Sequence, residues 1–122
     1  MPIPILKQGD VLIASMQAAL SDADLADLRD ALAERVGRLR SRGVIIDVTA
    51  LDVLDSFATR TLRGIAYTAK LRGASTIVVG IQPDVAFAMV QLGLSLDGIL
   101  TALDLEEGLE AINHGRALDD GN

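Results

Sequence analysis

The clearest candidate for chemistry in this sequence is the hydroxyl of Ser56. This residue follows the β-branched run at 44–48 and directly precedes a helical pattern that starts near Phe57. The first amides of a helix lack intrahelical partners and carry the positive end of the helix dipole, so a phosphoryl group added there changes the charge where it is strongly felt. An unmodified serine at this place also suits an N-cap. We therefore predict that Ser56 caps the helix and is a phosphoacceptor.

Charged side chains flank Ser56 on both sides. Asp52 and Asp55 precede it, and Arg60 and Arg63 follow it by one and two helical turns. A phosphate carrying a charge of about -1.5 to -2 would repel these carboxylates and an acidic partner. The arginines suit contact with an acidic partner or a phosphate, and they equally suit a solvated helix face. Modification is thus expected to break an interface rather than to assemble an active site.

Catalytic alternatives are weaker. Nucleophilic catalysis by Ser56 needs a base, and the only histidine, His114, falls in a predicted tail. Asp47, Asp52 and Asp55 could form a carboxylate metal site, but a strand, a turn and a cap account for them equally well. The sequence has no glycine-rich nucleotide-binding loop, and a small-molecule enzyme would need a closed pocket with convergent polar groups. We predict a noncatalytic protein with no metal and no cofactor.

Composition limits the class of protein. The 122 residues fit a single domain, 1–122, in which 50% of residues are hydrophobic but 2% aromatic, so the core must be aliphatic. The net charge of -6 opposes binding to nucleic acids. The sequence has no cysteine, no signal peptide at its start and no apolar run as long as the roughly 18 residues of a membrane span. We expect a cytoplasmic protein without nucleic-acid or membrane partners.

Hydrophobic periodicity and turn residues predict the elements. Gly9 and Asp10 suit the turn of an N-terminal hairpin. Helices are predicted over 21–42, 57–72, 83–93 and from 105 to about 113, with Ser21 as an N-cap, Gly43 as the end of the first helix and 114–122 as a flexible tail. Further strands are predicted at 44–48, 76–79 and 99–103. The predicted fold class is α/β, with a mixed sheet of about four to five strands and about four helices.

Several segments, in this order and spacing, resemble one family. They are Ile45-Ile46-Asp47-Val48-Thr49, Asp55-Ser56-Phe57, Gly80-Ile81-Gln82-Pro83 and Thr101-Ala102-Leu103-Asp104-Leu105-Glu106. Together they resemble the STAS family of sulfate-transporter and anti-sigma-antagonist domains. The resemblance covers nearly the whole chain, from Ile3 to about Asn113, and implies a STAS-like domain with helices packed on a mixed sheet.

The resemblance also implies a role in signalling. Small scaffold members of this family assemble with larger STAS-containing sensor paralogues into a cytoplasmic hetero-oligomer, the bacterial stressosome, which holds a serine/threonine kinase. Phosphorylation of the scaffold releases the kinase, and a phosphatase and a homodimer are further implied partners. By position, Ser56 is the implied phosphoacceptor, and the implied partner-binding surface comprises Asp55, Ser56, Phe57, Thr59, Arg60 and Arg63. The alternative within the family is a freestanding anti-sigma factor antagonist that is also switched by serine phosphorylation.

Overall fold

The computed structural model of this chain describes residues 3–17 and 20–120. Within these ranges, five strands and four helices follow one another along the chain. The elements are β1 (Ile5–Gln8), β2 (Val11–Ser15), α1 (Asp22–Leu39), β3 (Gly43–Asp47), α2 (Ser56–Leu71), β4 (Ser75–Val79), α3 (Pro83–Gln91), β5 (Leu100–Ala102) and α4 (Leu105–Asp120).

The strands form one mixed sheet in the order β1-β2-β3-β4-β5. β1 pairs antiparallel with β2 across the turn at Gly9, which adopts the left-handed φ of 61° that glycine tolerates. The remaining pairs are parallel, and their register places Ile13 beside Ile45 and Ile45 beside Ile77. The prediction of an α/β domain with an N-terminal hairpin and a mixed sheet is confirmed.

Alternating strand residues build two aliphatic cores, one on each face of the sheet. Side chains such as Leu12, Ile46 and Val78 belong to the larger core, to which α1, α2 and α3 contribute. Their neighbours, such as Ile45 and Ile77, belong to the smaller core beneath α4. Because successive side chains of a strand point to opposite faces, this alternation places α2 and α4 on opposite sides of the sheet. None of the described helices combines the length and the apolarity that crossing a bilayer requires.

The first helix begins as predicted but ends earlier. Ser21 Oγ accepts a hydrogen bond from the Asp24 amide at 3.1 Å, and the Asp24 carboxylate accepts one from the Ser21 amide at 3.1 Å. The hydrogen bond from the Ser21 backbone lowers the pKa of Asp24. At the other end, Arg40 adopts a left-handed φ of 51° and its amide donates to the Val36 carbonyl. The prediction that Gly43 closes this helix is wrong, because Arg40 already turns the chain and Gly43 begins β3.

The fourth helix begins at the predicted place. Asp104 Oδ1 accepts a hydrogen bond from the Glu107 amide at 2.9 Å, while Glu107 Oε1 accepts one from the Leu103 amide at 3.4 Å. Its helical backbone continues to Asp120, beyond the end predicted near Asn113. Flexibility of 114–122 stays a prediction, and residues 1–2, 18–19 and 121–122 of the predicted domain lie outside the described residues.

Candidate functional site

The loop 48–55 carries the chain from β3 to Ser56 and is anchored to the sheet and the core. The Val48 amide donates to the Val79 carbonyl at 3.0 Å, and the Leu51 amide donates back to the Val48 carbonyl at 3.0 Å. The side chains of Leu51 and Leu54 are buried in the larger core. These contacts give the start of α2 a defined position relative to the sheet.

A second set of contacts ties this loop to the segment that leads into α3. Asp47 Oδ1 accepts hydrogen bonds from the amide and the hydroxyl of Thr49, at 2.9 and 2.6 Å. Gln82 Nε2 donates to the Thr49 carbonyl at 2.7 Å. At Gly80, φ is 81° and an added Cβ would collide with the Thr49 side chain. The Gly80 segment therefore serves as a strand exit and a close contact that positions the loop.

Asp55, not Ser56, caps α2. Asp55 has an extended backbone with φ of -81° and ψ of -179°, and its Oδ1 accepts a hydrogen bond from the Ala58 amide at 2.8 Å. Ser56 is already the first helical residue. The prediction that Ser56 supplies the cap is wrong, because the preceding carboxylate has the backbone geometry and the reach that an N-cap needs.

This arrangement leaves the Ser56 hydroxyl on the surface. Ser56 is exposed, and its Oγ forms no hydrogen bond with the part of the chain that the structure describes. Because Ser56 is exposed, an approaching enzyme can reach it without unfolding of the domain. Because Asp55 caps α2, modification of the Ser56 hydroxyl would not remove the capping hydrogen bond of this helix.

Thr59 differs from the other predicted partner-binding residues because its side chain is only 1% exposed. Its Oγ1 donates to the Asp55 carbonyl at 2.8 Å, and Thr61 Oγ1 likewise donates to the Phe57 carbonyl at 2.8 Å. Thr59 lines a depression beside Ser56, Arg60 and Arg63, but its small exposed fraction leaves little of its surface for direct contact with a partner. The structure gives Thr59 a role in packing the helix start.

The structure brings Ser56 together with the two predicted arginines. Ser56, Arg60 and Arg63 are exposed and line a shallow depression of about 280 Å³ with Leu94 and Ser95. We call this feature the cationic depression, since its charged lining residues are the two arginines. Phe57, in contrast, is partly buried and packs against the larger core. Its predicted role at the surface is therefore limited to the part of the ring that remains accessible.

On the other side of Ser56 lies a feature that the sequence did not reveal. Val53 and Leu92, each 71% exposed, line an open groove of about 400 Å³ with Val85, Ala88, Asp52 and Asp55. We call this feature the apolar groove. Val53, which follows Asp52 in the loop, was a weak signal for this groove in the sequence, but the second wall of the groove comes from α3 and depends on tertiary packing. Ser56 and Leu94 border both the groove and the cationic depression.

The geometry separates the residues of the catalytic and metal alternatives. His114 lies on α4, across the sheet from α2, and two residues earlier Ile112 packs against Gly43 at the first residue of β3. Ser56 lies beyond the opposite end of β3, so His114 cannot act as its base. Asp47 is engaged by Thr49, and the described residues contain no group of three or more acidic, histidine or cysteine side chains suited to hold a metal ion.

Comparison with known proteins gives three kinds of similarity. The model of the STAS domain family matches residues 2–108. The RsbT co-antagonist protein RsbRA of Bacillus subtilis is 31% identical over 71 residues, which cover 58% of this chain and 26% of that protein. The RsbT co-antagonist protein RsbRD of the same organism is 25% identical over 80 residues, which cover 66% of this chain and 29% of that protein. This chain therefore spans between a quarter and a third of the length of these two curated relatives.

Solved structures match over nearly the whole chain. A serine-to-glutamate variant of RsbS from Moorella thermoacetica is 32% identical with a TM-score of 0.82, covering 94% of this chain and 97% of the other. A chain of the stressosome is 32% identical with a TM-score of 0.75, covering 93% and 98%. The anti-sigma factor antagonist SpoIIAA in its unphosphorylated form is 15% identical with a TM-score of 0.69, covering 93% and 97%, which shows a likeness of fold alone.

Proposed function

Because this chain belongs to the STAS domain family, we propose that it is a noncatalytic scaffold that holds a serine/threonine kinase and releases it when Ser56 is phosphorylated. The observation that carries the proposal is the exposed Ser56 hydroxyl at the first position of α2, beside a groove with an apolar lining. The similarity to RsbS and to a chain of the stressosome supports assembly in a cytoplasmic hetero-oligomer. RsbRA and RsbRD, which are named as co-antagonists, support larger STAS-containing sensor proteins as its partners.

In the unmodified protein, the kinase would bury the apolar groove next to Ser56. Val53 and Leu92 are mostly exposed, so contact with a partner would remove apolar area from water at roughly 25 cal/mol per Å². The adjoining Asp52 and Asp55 set an acidic edge that a complementary partner surface would match. The intact docking surface therefore combines an apolar contact with a charged border.

Phosphorylation would disrupt that surface through charge. The kinase would transfer the γ-phosphoryl group of ATP to Ser56 Oγ, so that a new P–O bond forms as the bond to ADP breaks and a base of the kinase takes the hydroxyl proton. The product carries a charge of about -1.5 to -2 at a place that the bound kinase would cover. Burying such a group beneath a bound kinase costs desolvation energy, and on the groove side the chain offers it the acidic residues Asp52 and Asp55 rather than a cation. The kinase would then dissociate.

Mass spectrometry after incubation with the cognate kinase and ATP tests the site. Phosphate is expected on Ser56 and is expected to disappear in Ser56→Ala. Ser75→Ala is the matched control, because Ser75 is also exposed but lies at the start of β4. Labelling that persists unchanged in Ser56→Ala would contradict the assignment.

Molecular mass distinguishes the scaffold from a freestanding anti-sigma factor antagonist. The higher sequence identity to RsbS than to SpoIIAA, 32% against 15%, favours the scaffold. Mixing with a sensor paralogue is expected to produce a particle of very high mass by light scattering. A stable complex of one copy with one anti-sigma factor, and no large particle, would support the alternative instead.

We further propose that the chain forms a homodimer and that a phosphatase resets Ser56. Phe87 and Val90, one turn apart on α3, are 71% and 79% exposed and offer apolar area for self-association. Sedimentation equilibrium is expected to show a dimer that Val90→Asp weakens. A wild-type protein that stays monomeric at all concentrations would contradict the dimer.

Loss of phosphate from Ser56 on adding the partner phosphatase tests the proposal that a phosphatase returns Ser56 to its unmodified state.

A further inference from the structure

We infer that Arg60 and Arg63 form an intramolecular binding site for the phosphoryl group carried by Ser56. This inference rests on the proposed phosphorylation of Ser56 and describes how the chain itself holds the modified state. The site consists of three side chains of α2 that border the cationic depression.

The helix places these residues on one side. At 3.6 residues per turn, Arg60 lies about 40° and Arg63 about 20° around the helix axis from Ser56. Side chains of a helix lean toward its N-terminus, so both arginines extend back toward the serine. All three residues are exposed and line the same depression of about 280 Å³. A phosphoryl group on Ser56 Oγ is therefore within the reach of long guanidinium side chains.

Both guanidinium groups are available for this contact. Ion pairs of described residues occur on α1, between Arg29 and Asp30 at 3.1 Å and between Arg38 and Glu34 at 2.8 Å. Arg60 and Arg63 form no ion pair with any described residue, and the sequence of α2 contains neither aspartate nor glutamate. A chain with a net charge of -6 thus carries two uncompensated cations beside its phosphoacceptor.

Charge determines which way the phosphate turns. On the side of the apolar groove it would meet the carboxylates of Asp52 and Asp55. Among the described residues, the lining of the cationic depression contains no acidic group, and it includes Ser95, whose Oγ accepts a hydrogen bond from the Asp97 amide at 3.1 Å. The dianion is repelled from the first side and attracted to the second, where guanidinium groups bind phosphate oxygens through two parallel hydrogen bonds.

Capture changes the surface in a way that repulsion alone does not. The unmodified cluster of Ser56, Arg60 and Arg63 carries a charge of +2, and a captured dianion brings it to about zero. The two arginines are then withdrawn from any acidic group of the kinase at the same moment as the phosphate appears. The modified state is thereby held in a defined geometry rather than as a freely rotating side chain.

A phosphorus NMR titration tests the capture without any kinase. Phosphoserine is installed at position 56 during synthesis of the full chain, and the second pKa of its phosphate is measured. Replacing Arg60→Gln and Arg63→Gln together is expected to raise that pKa by about 0.5, because exposed pairs contribute under about 1 kcal/mol each and one pKa unit corresponds to about 1.36 kcal/mol. Asp52 and Asp55 act equally in both proteins, so their effect cancels in the difference.

Lys70→Gln is the matched control. Lys70 is an exposed cation of the same helix, but it lies 14 residues from Ser56, about 21 Å along the axis and well beyond a Debye length of about 8 Å. It is expected to leave the pKa unchanged. Raising the salt concentration from about 0.05 M to about 0.5 M is expected to shrink the difference between wild type and the arginine variant.

An arginine variant whose phosphoserine titrates at the wild-type pKa would overturn the inference, as would an equal change in Lys70→Gln. Single variants at Arg60 and Arg63 give the same test if the double variant is unstable. Failure of the proposed function is distinguishable, because the installed phosphate can be captured whether or not a kinase modifies Ser56 in the cell. Conversely, kinase labelling of Ser56 with no effect of the arginines on the pKa would remove the capture alone.

Discussion

Separate substitutions of the adjacent residues Asp55 and Ser56 distinguish the cap of α2 from the proposed phosphoacceptor. In Asp55→Ala, the 2.8 Å hydrogen bond from the Ala58 amide is lost together with a negative charge at the helix N-terminus. Loss of a cap costs about 1 kcal/mol, and loss of the charge adds about 0.5 kcal/mol. Ser56→Ala removes no hydrogen bond to a described residue, and alanine is the better helix former, so its effect should stay within about 0.5 kcal/mol.

Urea unfolding followed by circular dichroism measures both effects. With a slope of about 2 kcal/mol per M, a loss of about 1.5 kcal/mol lowers the midpoint of Asp55→Ala by about 0.7 M. Asp55→Asn is an informative third variant, because asparagine retains an oxygen acceptor for the Ala58 amide but removes the charge. Its midpoint should lie between those of wild type and Asp55→Ala.

The reasoning would be refuted by an equal loss in Ser56→Ala and Asp55→Ala. That result would mean that both side chains stabilise the helix start, and that Ser56 is not free for modification without cost. A neutral Asp55→Ala would equally refute the assignment of the cap.

Three further predictions concern stability. Thr76 Oγ1 is buried and has no hydrogen-bond partner among the described residues, so Thr76→Val should raise the free energy of unfolding by about 1 kcal/mol and the melting temperature by about 4 °C; a lower melting temperature would contradict this. Gly108→Ala would place a Cβ 2.9 Å from Val79 Cγ1. Because overpacking costs about 1–3 kcal/mol and alanine gains about 1 kcal/mol in helix propensity, thermal unfolding should show a net loss of stability. An unchanged midpoint of unfolding would contradict the close contact. The lowered pKa of Asp24 means that its contact with Ser21 stabilises the fold at pH values above the ordinary pKa of 3.8, and that this stabilisation is lost as the pH falls through the lowered pKa. The loss of stability in Asp24→Ala should therefore be present at neutral pH and shrink in acid. A loss of stability that is constant with pH would rule this out.

Most elements of the fold follow from local sequence patterns. The β-branched runs of β3 and β4 and the periodicity of α1 and α2 each depend on residues close together in the chain. Helix ends were less predictable, because Asp and Ser rank almost equally as caps. The extended backbone of Asp55 decides between Asp55 and Ser56, and the preceding loop is packed in the larger core through Leu51 and Leu54, which are tertiary contacts.

Part of the candidate site could also be predicted from the sequence. The spacing of Ser56, Arg60 and Arg63 places them on one side of α2 in the sequence as in the structure. The burial of Thr59 could have been predicted from its spacing of three and seven residues to the buried Leu62 and Ala66. The apolar groove could not, because one of its walls belongs to α3, which is distant in sequence and reaches Ser56 only through the fold.

Retention of the kinase by the assembled scaffold tests the central claim most directly. The complex of this chain with its sensor paralogue is prepared with either serine or installed phosphoserine at position 56, and the Kd for the kinase is measured for each. The account predicts that phosphoserine weakens binding at least about tenfold, or about 1.4 kcal/mol. An equal Kd for the two forms would contradict the claim that the phosphate on Ser56 releases the kinase.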